Sequence, residues 1–152
     1  MIDVGKRAPE FALFAEDGCP VGRPAFRGRP LVLYFYPKDD TSGCTAEARD
    51  FSRLASEFEA IGVEVMGVSP DSAESHCKFK AKHELAVRLA SDPEHKTADA
   101  YGVWVEKSMY GKTYMGVART TFLIGLDGTI EKVFEKVKPE GHADEILEFL
   151  SK

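Results

Sequence analysis

Leu31-Val-Leu-Tyr-Phe-Tyr36 is an unbroken apolar and aromatic run of strong strand formers, and Pro37 follows it at once. A strand with one wet face alternates polar and apolar side chains. This one has no polar side to give to water, so it reads as a central strand of a sheet covered on both faces. Proline cannot donate to a β-ladder, so Pro37 ends the strand. Lys38 to Thr41 then form a polar loop, and a helix starts near Ser42 with Asp40 or Thr41 placed to cap its first N–H groups.

The rest of the chain supplies the cover. Phe51, Leu54, Ala55 and Phe58 follow the helical period and continue the first helix, and Gly62 is a suitable stop. Val63 to Val68 reads as a second strand. Asp71 to His83 is a second helix, entered through Ser69-Pro70. Ala86 to Ala90 is a short strand, and Asp92-Pro93 opens a helix running to about Tyr101. Arg119 to Gly125 and Thr129 to Glu135 flank Leu126-Asp127-Gly128, a hairpin signal. Gly141 to Leu150 is a last amphipathic helix with Ile146, Leu147, Phe149 and Leu150 expected inward. Gly18 to Pro30 reads as loops and turns. Strands joined by helices pair in parallel and the late hairpin is antiparallel. The expected fold is therefore α/β, a mixed central sheet with helices on both faces. At 152 residues and 43% hydrophobic, residues 1–152 are expected to form a single domain.

Several function classes are disfavoured. Twenty basic against 25 acidic side chains give a net charge of −5, the wrong sign for a nucleic-acid binder. The run Leu31 to Tyr36 is far too short to cross a bilayer, so no membrane association is expected. The N-terminus MIDVGKRAPEF has no apolar signal core, and the chain is expected in the cytoplasm. It contains no Asn and no Gln, hence no glycosylation sequon; codon bias and thermophily both produce such a depletion. Three cysteines are too few for a disulfide scaffold.

The stretch Pro37-Lys-Asp-Asp-Thr-Ser-Gly-Cys44-Thr-Ala-Glu47 puts a thiol in the first turn of a helix after a buried strand. Free N–H groups and the positive helix end there favour an anionic sulfur. Active sites of open α/β sheets gather at the carboxyl ends of strands, where this loop lies. A buried structural cysteine remains the plain alternative.

Pro37-x-x-x-Thr41-x-x-Cys44, together with Glu47 and with Arg119 in Ala118-Arg-Thr-Thr-Phe122, resembles the peroxiredoxin active-site motif. The longer strings YFYPKDDTSGCTAEARDF, SPDS, YGVW, YGKTY and RTTFLI resemble the bacterioferritin-comigratory (PrxQ) branch of that family, over nearly the whole chain. The resemblance implies a thioredoxin-like fold and a thiol-dependent peroxidase acting on hydrogen peroxide and organic (alkyl) hydroperoxides. Cys44 would become a sulfenic acid. Thr41, the Cys44 N–H and Arg119 would bind the peroxide, Pro37 would shield the sulfur, and Glu47 would orient an arginine. No cofactor and no metal are expected, and the chain is expected to be a monomer or at most a weak dimer.

The chain departs from that pattern at Arg49, where many PrxQ proteins carry a second cysteine. Others place it in the next helix, and this chain has Cys77 there. The resemblance implies an intramolecular disulfide between Cys44 and Cys77, recycled by thioredoxin or a similar dithiol. Two positions so placed would meet only after local unfolding. If Phe79 anchors the second helix, Cys77 points outward; if the small-residue face is buried, it does not. Cys19, in the turn Gly18-Cys-Pro20, reads as an incidental thiol. A one-cysteine peroxidase and a non-catalytic interaction or holdase module stay open. A thioredoxin-like disulfide reductase also stays open, but the sequence speaks against it, because Cys44 lacks a Cys-x-x-Cys partner. Metal ligation by His76, Cys77 and His83 has no supporting spacing.

Overall fold

The computed structural model describes residues 2–15, 17–22 and 28–151. Its seven-stranded sheet has the order β2-β1-β5-β4-β3-β8-β9. The strands are β1 (Ala12–Ala15), β2 (Pro20–Gly22), β3 (Leu31–Phe35), β4 (Glu64–Ser69), β5 (Arg88–Ser91), β8 (Thr120–Ile124) and β9 (Ile130–Phe134). A separate pair, β6 (Trp104–Met109) and β7 (Lys112–Val117), forms a second sheet. The helices are α1 (Ser42–Arg53), α2 (Ala55–Ala60), α3 (Ala73–His83), α4 (Lys96–Ala100) and α5 (His142–Leu150).

Every residue of β3 is buried, as the apolar run requires. Its side chains alternate between faces. Val32, Tyr34 and Tyr36 enter a cluster with Cys44, Ala48 and Phe51 of α1, Phe58 of α2, Phe79 of α3 and Ile146 of α5. Leu31, Leu33 and Phe35 enter the opposite cluster with Ala98 of α4, Tyr101 and Val103. Helices thus lie on both faces of a mixed sheet. β3 runs parallel to β4 and antiparallel to β8.

Gly67 of β4 is required by a close approach. A Cβ there would lie 2.5 Å from the ring of Tyr34, which crosses from its partner strand. Phe51 stacks on the same ring at 4.5 Å, fixing α1 against β3.

The structure corrects several sequence expectations. β2 falls in the stretch Gly18 to Pro30 expected as loops and turns, of which residues 23–27 lie outside the described residues; β1 precedes it where no element was expected, and β6 with β7 form a hairpin that the hydrophobic pattern did not indicate. The first helix breaks at Leu54, whose ψ of 7° leaves the helical range. The short strand runs Arg88–Ser91, and the helix after Asp92 begins only at Lys96. Asp92 remains outside that helix and accepts from the N–H groups of Thr97 and Ala98. α5 turns His142, Ala143 and Ile146 inward, while Phe149 is exposed. The turn at Leu126-Asp127-Gly128 forms as expected, closed by the Gly128 N–H on the Gly125 carbonyl.

Candidate active site

Cys44 sits in the first turn of α1 with 1% of its surface exposed. Neither expected cap binds that turn. Thr41 holds the N-cap position with extended backbone, but its side chain accepts from no helix N–H. Its hydroxyl donates instead to the Lys38 carbonyl at 3.0 Å. Asp40, at φ +61°, turns its carboxylate to Lys82 and His83. The first-turn donors around Cys44 are therefore not consumed by a capping side chain, and the Thr41 hydroxyl is oriented by the loop. Pro37 lies half-buried at the end of β3.

Arg119 immediately precedes β8, which pairs antiparallel with β3 and brings it back to the start of α1. Its Nη2 donates to Cys44 Sγ at 3.2 Å and its Nη1 to Glu47 Oε1 at 2.7 Å. One planar guanidinium thus faces the sulfur with one nitrogen and is fixed by a carboxylate through the other, a task the single ammonium of lysine cannot copy. Glu47 lies on the face of α1 shared with Cys44 and is wholly buried. Burial pushes its carboxyl up to about 7, and Arg119 offsets this only in part. Burial also opposes the charge of Arg119, but Glu47 and Cys44 outweigh it and hold the guanidinium above its ordinary value.

The structure brings Cys44, Glu47 and Arg119 into direct contact, with Thr41 and Pro37 on the adjoining loop. Cys77 does not join them. It is exposed on α3, with Phe79 and His76 turned inward, and all three cysteines are free thiols. Cys19 is also exposed, and the neighbouring Asp17 charge raises its thiol above the usual value.

Three side chains that the sequence did not single out also border the site: Pro139, Lys107 and Tyr34. A Cβ on Gly43 would lie 3.2 Å from Pro139 and 3.3 Å from Arg119 Nη2, so this glycine leaves room for the guanidinium. Lys107 of β6 is held below its ordinary value by partial burial and then by Arg119. Tyr34 Oη and Glu47 Oε2 are buried without a partner among the described residues. Burial, then the charge of Glu47, keeps the Tyr34 phenol well above its ordinary value and hence protonated.

An arginine-faced thiol in the first turn of a helix, on a mixed sheet of this strand order, defines a thiol-redox protein of the thioredoxin fold. Residues 4–133 match the AhpC/TSA family. Peroxiredoxin Bcp of Bacillus subtilis is 46% identical over 149 residues, covering 98% of this chain and 95% of that protein. The Xanthomonas campestris bacterioferritin comigratory protein, whose structures address alkyl peroxide reduction, is 42% identical with a TM-score of 0.88, covering 93% of this chain and 90% of that one. PrxQ of Xylella fastidiosa, with a cysteine replaced by serine, is 35% identical with a TM-score of 0.93 over 99% of this chain and 96% of that one. The chain belongs to the AhpC/TSA family, and within it to the Bcp (PrxQ) peroxiredoxins.

No helix among the described residues is long and apolar enough to cross a membrane.

Proposed function

We propose that this peroxiredoxin reduces hydrogen peroxide and alkyl hydroperoxides through Cys44, resolves the oxidised sulfur with Cys77, and is returned to the dithiol by thioredoxin or a similar dithiol protein. The observation that carries the reading is the Arg119 guanidinium shared between Cys44 Sγ at 3.2 Å and Glu47 at 2.7 Å.

The Cys44 thiolate donates an electron pair to the hydroxyl oxygen of the peroxide. The O–O bond breaks, sulfur keeps the OH as a sulfenic acid, and the leaving alkoxide or hydroxide takes a proton from solvent. Negative charge spreads from sulfur over both oxygens in the transition state, and fixed donors aimed there lower the barrier. By the family resemblance those donors are Arg119, the Cys44 N–H and the Thr41 hydroxyl, which would have to turn from the Lys38 carbonyl to the peroxide. The Cys77 thiol then attacks the sulfenic sulfur, forming a disulfide and releasing water. Two thiol–disulfide exchanges with the external dithiol restore both thiols. The burial of Cys44 and the exposure of Cys77 support local opening before the disulfide forms. We assign the whole activity to a single domain spanning the chain.

Mass spectrometry of protein treated with one equivalent of peroxide tests the scheme. A Cys44–Cys77 linkage is expected, with turnover abolished in Cys44→Ser. In Cys77→Ser the first oxidation persists but over-oxidised Cys44 accumulates and thioredoxin-linked turnover is lost. Retained turnover in Cys44→Ser would sink the assignment. Cys44 bonded to Cys19, to a second chain or to no protein thiol would replace the scheme by a one-cysteine cycle.

A further inference from the structure

α3 turns two side chains inward, and one of them is ionisable. His76 is completely buried. Its Nδ1 lies 2.7 Å from Asp39 Oδ2 and its Nε2 lies 3.0 Å from the Ala90 carbonyl, so the ring is tied at both nitrogens. Asp39 also accepts from the Tyr36 hydroxyl at 2.6 Å and the Ser75 hydroxyl at 2.8 Å. Its backbone N–H donates to Asp71 at 2.8 Å. The next residue, Asp40, faces outward and accepts from Lys82 at 2.6 Å and His83 at 2.8 Å. Two successive residues of the loop leading to Cys44 are thus fastened to α3, one from within and one from without. α3 is also the helix that carries Cys77.

We propose that Asp39 and His76 form a buried clasp that makes the Cys44 segment and α3 open together, and that its release gates formation of the Cys44–Cys77 disulfide. The second half of this statement rests on the two-cysteine cycle proposed above. Both residues act as positioning residues, through the loop and the helix.

The geometry leaves little choice. Successive residues of a helix point about 100° apart. Cys77 is exposed because His76 and Phe79 fill the inner face of α3. Any rotation or unwinding that turns Cys77 towards Cys44 must withdraw His76 from Asp39 and Ala90. Removing one member of a buried hydrogen-bonded pair leaves the other unsatisfied, so loop and helix are favoured to leave together. While the clasp is shut, Cys44 stays against Arg119 and reacts with peroxide. While it stays shut after that reaction, the sulfenic sulfur remains exposed to a second peroxide and not to Cys77. The strength of the clasp therefore sets the partition between disulfide and over-oxidised sulfur.

Asp39→Asn tests this, with Ser75→Ala as a milder variant that removes one hydrogen bond to the same carboxylate. Native-state hydrogen exchange is read in the segment 41–48 and in α3, with near-ultraviolet circular dichroism to establish folding. In Asp39→Asn, exchange should rise together in both segments by about tenfold, the factor for losing a charge-assisted hydrogen bond. After one equivalent of hydrogen peroxide the disulfide should form about tenfold faster, with less over-oxidised Cys44 at excess peroxide. If Asp39→Asn does not fold, Ser75→Ala should show the same paired rise at about threefold. A rise confined to one segment, or none, overturns the clasp. A disulfide step unchanged in a folded variant with raised exchange overturns the gating. If the wild-type chain forms no Cys44–Cys77 linkage, the two-cysteine cycle has failed, the gating falls with it, and the exchange result decides the clasp.

Discussion

Replacing Glu47 by Gln keeps the length of the side chain and an oxygen acceptor for Arg119, but removes the charge. In the parent protein burial holds this carboxyl at about 7. It is then roughly 10% ionised at about pH 6 and roughly 90% at about pH 8. A neutral carboxyl and a carboxamide hold the guanidinium comparably, whereas the carboxylate adds a charge-assisted bond roughly twice as strong. That difference is about 1–1.5 kcal/mol, or about tenfold in rate. The ratio of second-order rate constants for Cys44 oxidation, parent over Glu47→Gln, should therefore be near one at about pH 5.5, pass its midpoint near 7 and level off near ten at about pH 8.5. Taking the ratio cancels titrations common to both proteins. Stability runs the other way. The folded state binds this proton more tightly than the unfolded chain, whose carboxyl titrates near 4.5. Parent stability accordingly falls as pH rises from about 4.5 to about 7, by about 3 kcal/mol in all, and Glu47→Gln lacks that loss. Stopped-flow peroxide kinetics and urea unfolding across this pH range measure both. A rate ratio flat with pH would refute the reasoning, because the ionisation of Glu47 would then not reach the sulfur.

Arg119→Ala should slow sulfenic acid formation by about 10²–10³. Arg119→Lys should recover only part of this, because a point charge cannot bridge sulfur and carboxylate in one plane; rates within twofold of the parent in both variants would make Arg119 a bystander. Gly43→Ala should slow the same step by about tenfold, by pressing on Arg119 Nη2. Its thermal stability should hold or rise, since alanine suits a helix better than glycine by about 0.5–1 kcal/mol; a loss of stability with no loss of rate would contradict the account.

The core of the fold was legible because β3 is buried on both faces and must be apolar throughout. The same logic failed for the hairpin β6–β7. Its strands are exposed along most of their length, so Glu106, Lys107, Lys112 and Thr113 give no alternation to read. The break at Leu54 left no trace either, because the apolar period runs through it. Phe149 was misread inward on period alone, although Ile146 and Ala143 already fill that face of α5. At the site, Cys44 and its helix start were readable from local chemistry. Arg119 was not, since 75 residues separate it from the sulfur and only the family motif joined them. The buried pairing of Asp39 with His76 spans 37 residues and belongs to no local pattern.

The antiparallel register of β3 and β8, which pairs Phe35 with Thr120, makes the site the output of an alignment. Cys44 hangs from the end of one strand and Arg119 from the start of the other. A slip of two residues would preserve which side chains face the core, yet carry Arg119 about 7 Å along the strand. The sheet would look intact while the sulfur lost its guanidinium. On a growing polypeptide, moreover, Cys44 is made long before Arg119. An arginine-faced thiol therefore exists only once β8 has been synthesised and has settled in its one correct alignment, which makes fast peroxide chemistry a mark of finished folding.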